Sequence, residues 1–232
     1  MVAIFVLITF LLIIGINLLV SRLIDKKITI FQDDKPQLVP EESYQNSLTN
    51  VLVPEGLFFS KGHTWLQIDL NGQTRIGVDD FINKLTSSFV LEMSKKVGDK
   101  IKRGEKFLKV KFNGKLFNIA SPIEGEIREI NHKVFQDPSA LKSIPYEGGW
   151  LLMVEPTNLK DDLSLMIIGK DVIDWMRNEL HRFKEFLGSI AQQQQPSLVG
   201  QTMYDGGAVK IGAISTLDEN CINELEQKFF TL

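Results

Sequence analysis

Residues 104–127 read GEKFLKVKFNGKLFNIASPIEGEI. Within them, Lys106–Phe112 alternates, with Leu108, Val110 and Phe112 on one face and Lys109 and Lys111 on the other. A period of two marks a half-buried strand. Asn113-Gly114 follows, two residues that tolerate positive φ and so favour a two-residue hairpin turn. Such a turn sets residue 112 opposite 115, 110 opposite 117 and 108 opposite 119. Val110 then meets Phe117 and Leu108 meets Ile119, so turn chemistry and apolar register agree. Ser121-Pro122 ends the second strand, because proline has no N–H to give to a ladder.

The same texture extends outward. Residues 58–157 hold short alternating runs broken by turn signals at Asn71-Gly72, Val97–Lys100, Glu124-Gly125 and Gly148-Gly149. This predicts a small β-rich domain, with one helical interruption over Asp79–Thr86 capped by Asp79 or Asp80. From residue 170 the period changes. Val172, Ile173, Met176, Leu180, Phe183, Leu187 and Ile190 form one apolar stripe, widened by Trp175 and Phe186. The stripe fits a helix packed on the β domain, or a docking helix for a partner or membrane surface. Gln192–Pro196 breaks the pattern. The remaining residues offer a short helix over Asp218–Phe230 but too few large apolar side chains for a core of their own.

The chain has 232 residues, 44% of them hydrophobic and 24% charged, with a formal net charge of −3. That balance carries no nucleic-acid footprint. A single cysteine, Cys221, excludes an intrachain disulfide framework and a cysteine-built metal cluster. Residues 2–20 are uncharged and almost wholly apolar; as a helix they would span roughly 28 Å, about one hydrocarbon core. A cleaved signal peptide is the alternative. No basic residue precedes the run and no small-x-small site follows it, which favours an uncleaved anchor. Arg22, Lys26 and Lys27 follow directly, so the positive-inside rule puts the rest of a single-pass chain in the cytoplasm. The expected organisation is an anchor with its basic flank (1–27), a polar, proline-bearing tether (28–57), the β domain (58–168), the amphipathic helix (169–191) and a tail with a short helix (192–232).

Few residues are candidates for chemistry. His63, His132 and His181 are far apart and lack ligand-spaced partners, so no metal site is expected. No nucleophile elbow, phosphate loop or dinucleotide motif occurs, and no catalytic residue is assigned. Lys106, Lys109, Lys111 and Lys115 gather charge around the hairpin. They read either as a solvated face that keeps a sheet edge soluble, or as a docking surface for an acidic partner or anionic headgroups.

From Phe58 to Ile168 the residues resemble the glycine cleavage system H protein family, within the lipoyl/biotinyl carrier fold. The likeness is carried by Ser60–Trp65 (SKGHTW), Gly77–Phe81 (GVDDF), Val97–Ile101 with Gly104-Glu105, Ser121–Glu126 (SPIEGE), and Asp137-Pro138, Leu141, Pro145–Glu147 and Gly149–Leu151. The resemblance implies a mainly β fold: a pair of small antiparallel sheets with the attachment lysine on an exposed hairpin turn. In the family that lysine carries lipoyl, whose arm visits several enzymes and shelters an intermediate on the carrier's own surface.

Ungapped alignment puts the lysine position on Gly114, and Lys115 falls one residue late. By the hairpin register Lys115 opposes Phe112 instead of projecting from the turn. The glutamate three residues before the family's lysine is Lys111 here. The acid after the histidine is Thr64, and the aspartate past the lysine is Asn118. A hydroxyl or amide gives an amine a much weaker bond than a carboxylate does. The former arm cleft would comprise Gly62, His63, Thr64, Trp65 and Asn118. The expectation is therefore a membrane-anchored module without lipoate, a non-enzymatic adaptor or subunit of a membrane complex. The alternatives are a working carrier with lipoate on Lys115, and a small-molecule or metal sensor at His63 and Trp65.

Overall fold

The structure, a computed structural model, describes residues 53–86, 88–193 and 212–232. The expected anchor, most of the tether and the segment after the amphipathic helix lie outside those residues. Among the described residues no helix is long and apolar enough to cross a membrane.

Among the described residues ten strands form two antiparallel sheets. The larger has the order β10-β1-β2-β3-β9-β8-β5, built from β1 (Phe58–Phe59), β2 (Thr64–Ile68), β3 (Thr74–Val78), β5 (Lys100–Ile101), β8 (Gly125–Ile130), β9 (Trp150–Pro156) and β10 (Ile167–Ile168). The smaller is β4 (Val90–Met93), β6 (Lys106–Phe112) and β7 (Lys115–Ala120), in the order β4-β6-β7. The expected pair of sheets is present, but unequal in size.

The hairpin has the expected register: Phe112 opposite Lys115, Val110 opposite Phe117 and Leu108 opposite Ile119. Asn113 and Gly114 take φ of 45° and 75°, the two left-handed residues that a type I′ turn requires. Plain alternation fails at one point. The register shifts between Lys106 and Leu108, leaving Phe107 as an extra residue, and Phe107 and Leu108 are both buried. A bulge of this kind turns a second apolar side chain inward.

The larger sheet buries both faces. Leu66, Ile76, Leu152 and Val154 enter the main core with the inner face of the hairpin. Phe59, Trp65, Tyr146 and Val172 form a second cluster. Short helices interrupt the strands: α1 (Phe81–Leu85), α2 (His132–Gln136), α3 (Ser139–Ser143) and α4 (Leu159–Leu163). The amphipathic helix, α5 (Lys170–Gln193), packs its stripe on the domain, burying Met176, Phe183, Phe186, Leu187 and Ile190 in the main core. A 3-10 turn (Ala213–Thr216) and α6 (Glu219–Phe229) complete that core with Ile214, Leu217, Leu225 and Phe229. The tail that could not form a core of its own joins the one already there.

Candidate functional site

The hairpin's second strand lies against this tail, while Asn113 and Gly114 at the tip are exposed. Gly114 occupies the second turn position, so that position projects no side chain. Lys115 is half-buried, and its Nζ donates to the Ser215 carbonyl at 2.9 Å. Three residues further along β7, Asn118 gives both its backbone N–H (2.7 Å) and its side-chain amide (2.9 Å) to Oε2 of Glu226 on α6. Lys106 reaches the other oxygen of Glu226 at 2.5 Å. One nearly buried carboxylate thus receives three donors and pairs an outward N–H of an edge strand.

The same tail closes the face around His63. Phe230 stacks on Phe117 of the hairpin with ring centres 4.5 Å apart and lies 5.5 Å from the His63 ring. A Cβ on Gly62 would meet Leu232 at 3.2 Å and the Phe230 carbonyl at 3.4 Å. His63, with φ of 60°, is fully buried. Its ring stacks on Phe81 at 3.9 Å and neighbours Trp175 of α5 at 5.2 Å. His63 Nδ1 bonds Asp79 Oδ2 at 2.9 Å, while Asp79 Oδ1 accepts the Phe81 N–H at 2.9 Å. Asp79 therefore caps α1 and orients the histidine together; Asp80 pairs with Lys84 and Asn83. Thr64 bonds Ser60 at 2.7 Å. Trp65 donates Nε1 to the Val78 carbonyl at 3.0 Å. Gly62, His63 and Asn118 are thus brought under one cover, whereas the Trp65 ring packs in the second cluster.

The four lysines do not make one open positive surface. Lys106 and Lys115 turn to the tail. Lys109 and Lys111 share Glu92 on β4, Lys109 at 3.0 Å. Those two lysines hold the Glu92 carboxyl below its usual range, with the Lys111 bond the larger cause. These bonds divide the lysines between two neighbours within the chain.

Two carboxylates at this face were not singled out from the sequence. Glu179 is buried on α5, with one oxygen on Arg182 and the other 3.9 Å from His63 Nε2. Its signal was present, since it stands on the apolar stripe between Met176 and Phe183. Glu226 gave less warning, for its partner Asn118 is 108 residues away. The C-terminal helices thus bring two carboxylates to this face, one beside His63 and one onto Asn118.

Other groups are poorly suited to reaction. Burial, followed by the bond to Asp218, pushes the Cys221 thiol up to about 11, so it stays protonated at neutral pH. Burial and the nearby Asp79 charge raise Tyr146 as well. His181 is exposed beside Glu185. His132 lines an open cleft of about 600 Å³ with Glu129, Asn131, Lys133, Asp137 and Trp150, none of them from the hairpin. Among the described residues no group of three or more His, Cys, Asp or Glu side chains could hold a metal ion.

Comparison with known proteins finds one family over this region. The glycine cleavage H-protein family model matches residues 57–177. The glycine cleavage system H protein of Streptomyces coelicolor is 34% identical over 110 residues, covering 47% of this chain and 88% of that one. A probable glycine cleavage system H protein of Pyrococcus abyssi is 28% identical, covering 54% of this chain and 93% of its own. Among solved structures, the glycine cleavage system H protein from Mycobacterium marinum aligns at 25% identity with a TM-score of 0.42, covering 45% of this chain and 87% of that one.

Proposed function

Because the chain belongs to the glycine cleavage H-protein family, we propose that it is a form of that module which has exchanged its cofactor arm for a protein tail. In this reading it is anchored through residues 2–20, faces the cytoplasm, carries no lipoate, and serves as a non-enzymatic adaptor or subunit of a membrane complex. One observation carries the proposal. The face on which a swinging arm would rest is filled by residues 212–232, and Lys115, the nearest candidate for attachment, is engaged by the Ser215 carbonyl. Three features support it further. Gly114 stands where the turn would offer a lysine. Asn118 and Lys106 are matched to Glu226. Phe230 lies between Phe117 and His63. The residues at the tip do not fit a lipoyl group, so no transfer step is derived through one.

Mass spectrometry of the protein purified from its own membranes tests the reading. The expected result is an unmodified Lys115, together with a stable partner recovered in detergent. A lipoyl group on Lys115 at high occupancy overturns it in favour of a working carrier, the family's usual role. In that case Lys115→Arg removes the signal and Lys111→Arg leaves it.

A further inference from the structure

Away from the hairpin tip, the chain between β4 and β6 is unusually basic. Residues 95–103 read KKVGDKIKR. They form two turns flanking the edge strand β5. The first is closed by the Lys96 N–H on Asp99 Oδ2 (2.8 Å) and by Gly98, at φ 89°, donating to the Ile127 carbonyl (2.8 Å). The second is closed by the Lys102 N–H on Glu105 Oε2 (2.9 Å). Lys95 ties them together, reaching Glu105 with its Nζ and bonding the Lys100 carbonyl at 3.3 Å. Asp99 and the adjoining Glu105 are thereby used within the two turns. Lys95 holds the Glu105 carboxyl below its usual range, so it remains ionised and fixed. Lys96, Lys100, Lys102 and Arg103 are exposed on these turns; Arg103 lies 3.9 Å from Asp162, Lys102 acts on Glu105, and Lys100 stands opposite Glu126 across the β5–β8 pair. Val97, beside Lys96 in the first turn, is 57% exposed.

We propose that these two turns are a contact surface for anionic lipid headgroups, with Val97 entering the interface and the four cations lying at headgroup level. The composition favours lipid over protein. Lysine is depleted from protein–protein interfaces, which prefer aromatic anchors and arginine, and this surface has three lysines and no exposed aromatic. A compact ammonium on a flexible stem suits a field of mobile phosphates. An apolar side chain ringed by basic ones is a common arrangement for interfacial binding. The surface is separate from the hairpin, and the inference holds whether or not Lys115 is modified.

The test uses the full chain in vesicles of phosphatidylcholine with or without phosphatidylserine, with an environment-sensitive fluorophore on Val97→Cys; the native Cys221 is buried. Phosphatidylserine should shift the emission to the blue, and high salt should reverse the shift. Lys100→Glu with Lys102→Glu should lower the fraction in contact on the order of 10-fold. Equal emission in both lipids overturns the proposal. So does a shift that survives high salt or the charge reversal, or binding to polyglutamate with no response to phosphatidylserine. If the double variant does not fold, as read by circular dichroism, the salt titration of the parent chain decides. None of these outcomes depends on the mass of Lys115, so this surface and the proposed function stand or fall separately.

Discussion

A Cβ at Gly77 would lie 2.4 Å from the Trp65 indole, whose Nε1 is already committed to the Val78 carbonyl. The ring cannot retreat without giving up that bond. Gly77→Ala should therefore destabilise the protein by about 2 kcal/mol through overpacking, read as a lower urea midpoint with an unchanged slope. His63 is held as tightly, by a stacked phenyl ring and a buried carboxylate. His63→Ala should cost about 3 kcal/mol, since it opens a cavity and removes a donor from buried Asp79. At this scale the sequence was legible wherever neighbours act along the chain: Asn113-Gly114 announces its turn, and Asp79 announces a cap. It was opaque where partners are distant. Nothing near Asn118 points to Glu226, and a glutamate on an apolar stripe does not reveal that it faces His63.

Among the elements, α6 depends on its first turn and on one carboxylate. Asp218 accepts the Cys221 N–H at 2.8 Å, a bond that holds its carboxyl below the ordinary range. A depressed carboxylate stabilises the fold above its unfolded pKa, and that stabilisation is lost as pH falls through the folded one. Asp218→Ala should cost about 1 kcal/mol at neutral pH, with the gap to the parent closing in acid, as read by thermal melts across pH. Glu226→Ala, which strands the outward N–H of Asn118, should cost about 2 kcal/mol and speed hydrogen exchange at that amide. The hairpin and the two C-terminal helices were legible because period-2 and period-3.6 patterns repeat over enough residues to be counted. Helices α2, α3 and α4 have five residues each, too few for a period to appear. The bulge at Phe107 answers to packing, which alternation alone does not encode.

For the molecule as a whole, the appended helices enlarge the main core of a two-sheet module. Removing residues 212–232 should uncover the β7 edge together with Phe117 and Phe81. The expected outcome is self-association, seen as a rise in apparent mass with concentration by light scattering, because an unpaired apolar edge invites another strand. The family and the two-sheet plan could be read from ordered motifs. The cover on the hairpin could not, since it joins segments about a hundred residues apart. That separation also orders events in time. During synthesis the hairpin emerges and can pair long before Ser215 and Glu226 exist. For that interval each new copy presents a bare β7 edge and an unengaged Lys115. A lysine-modifying enzyme would therefore find Lys115 most open on nascent chains, before the Ser215 carbonyl engages it.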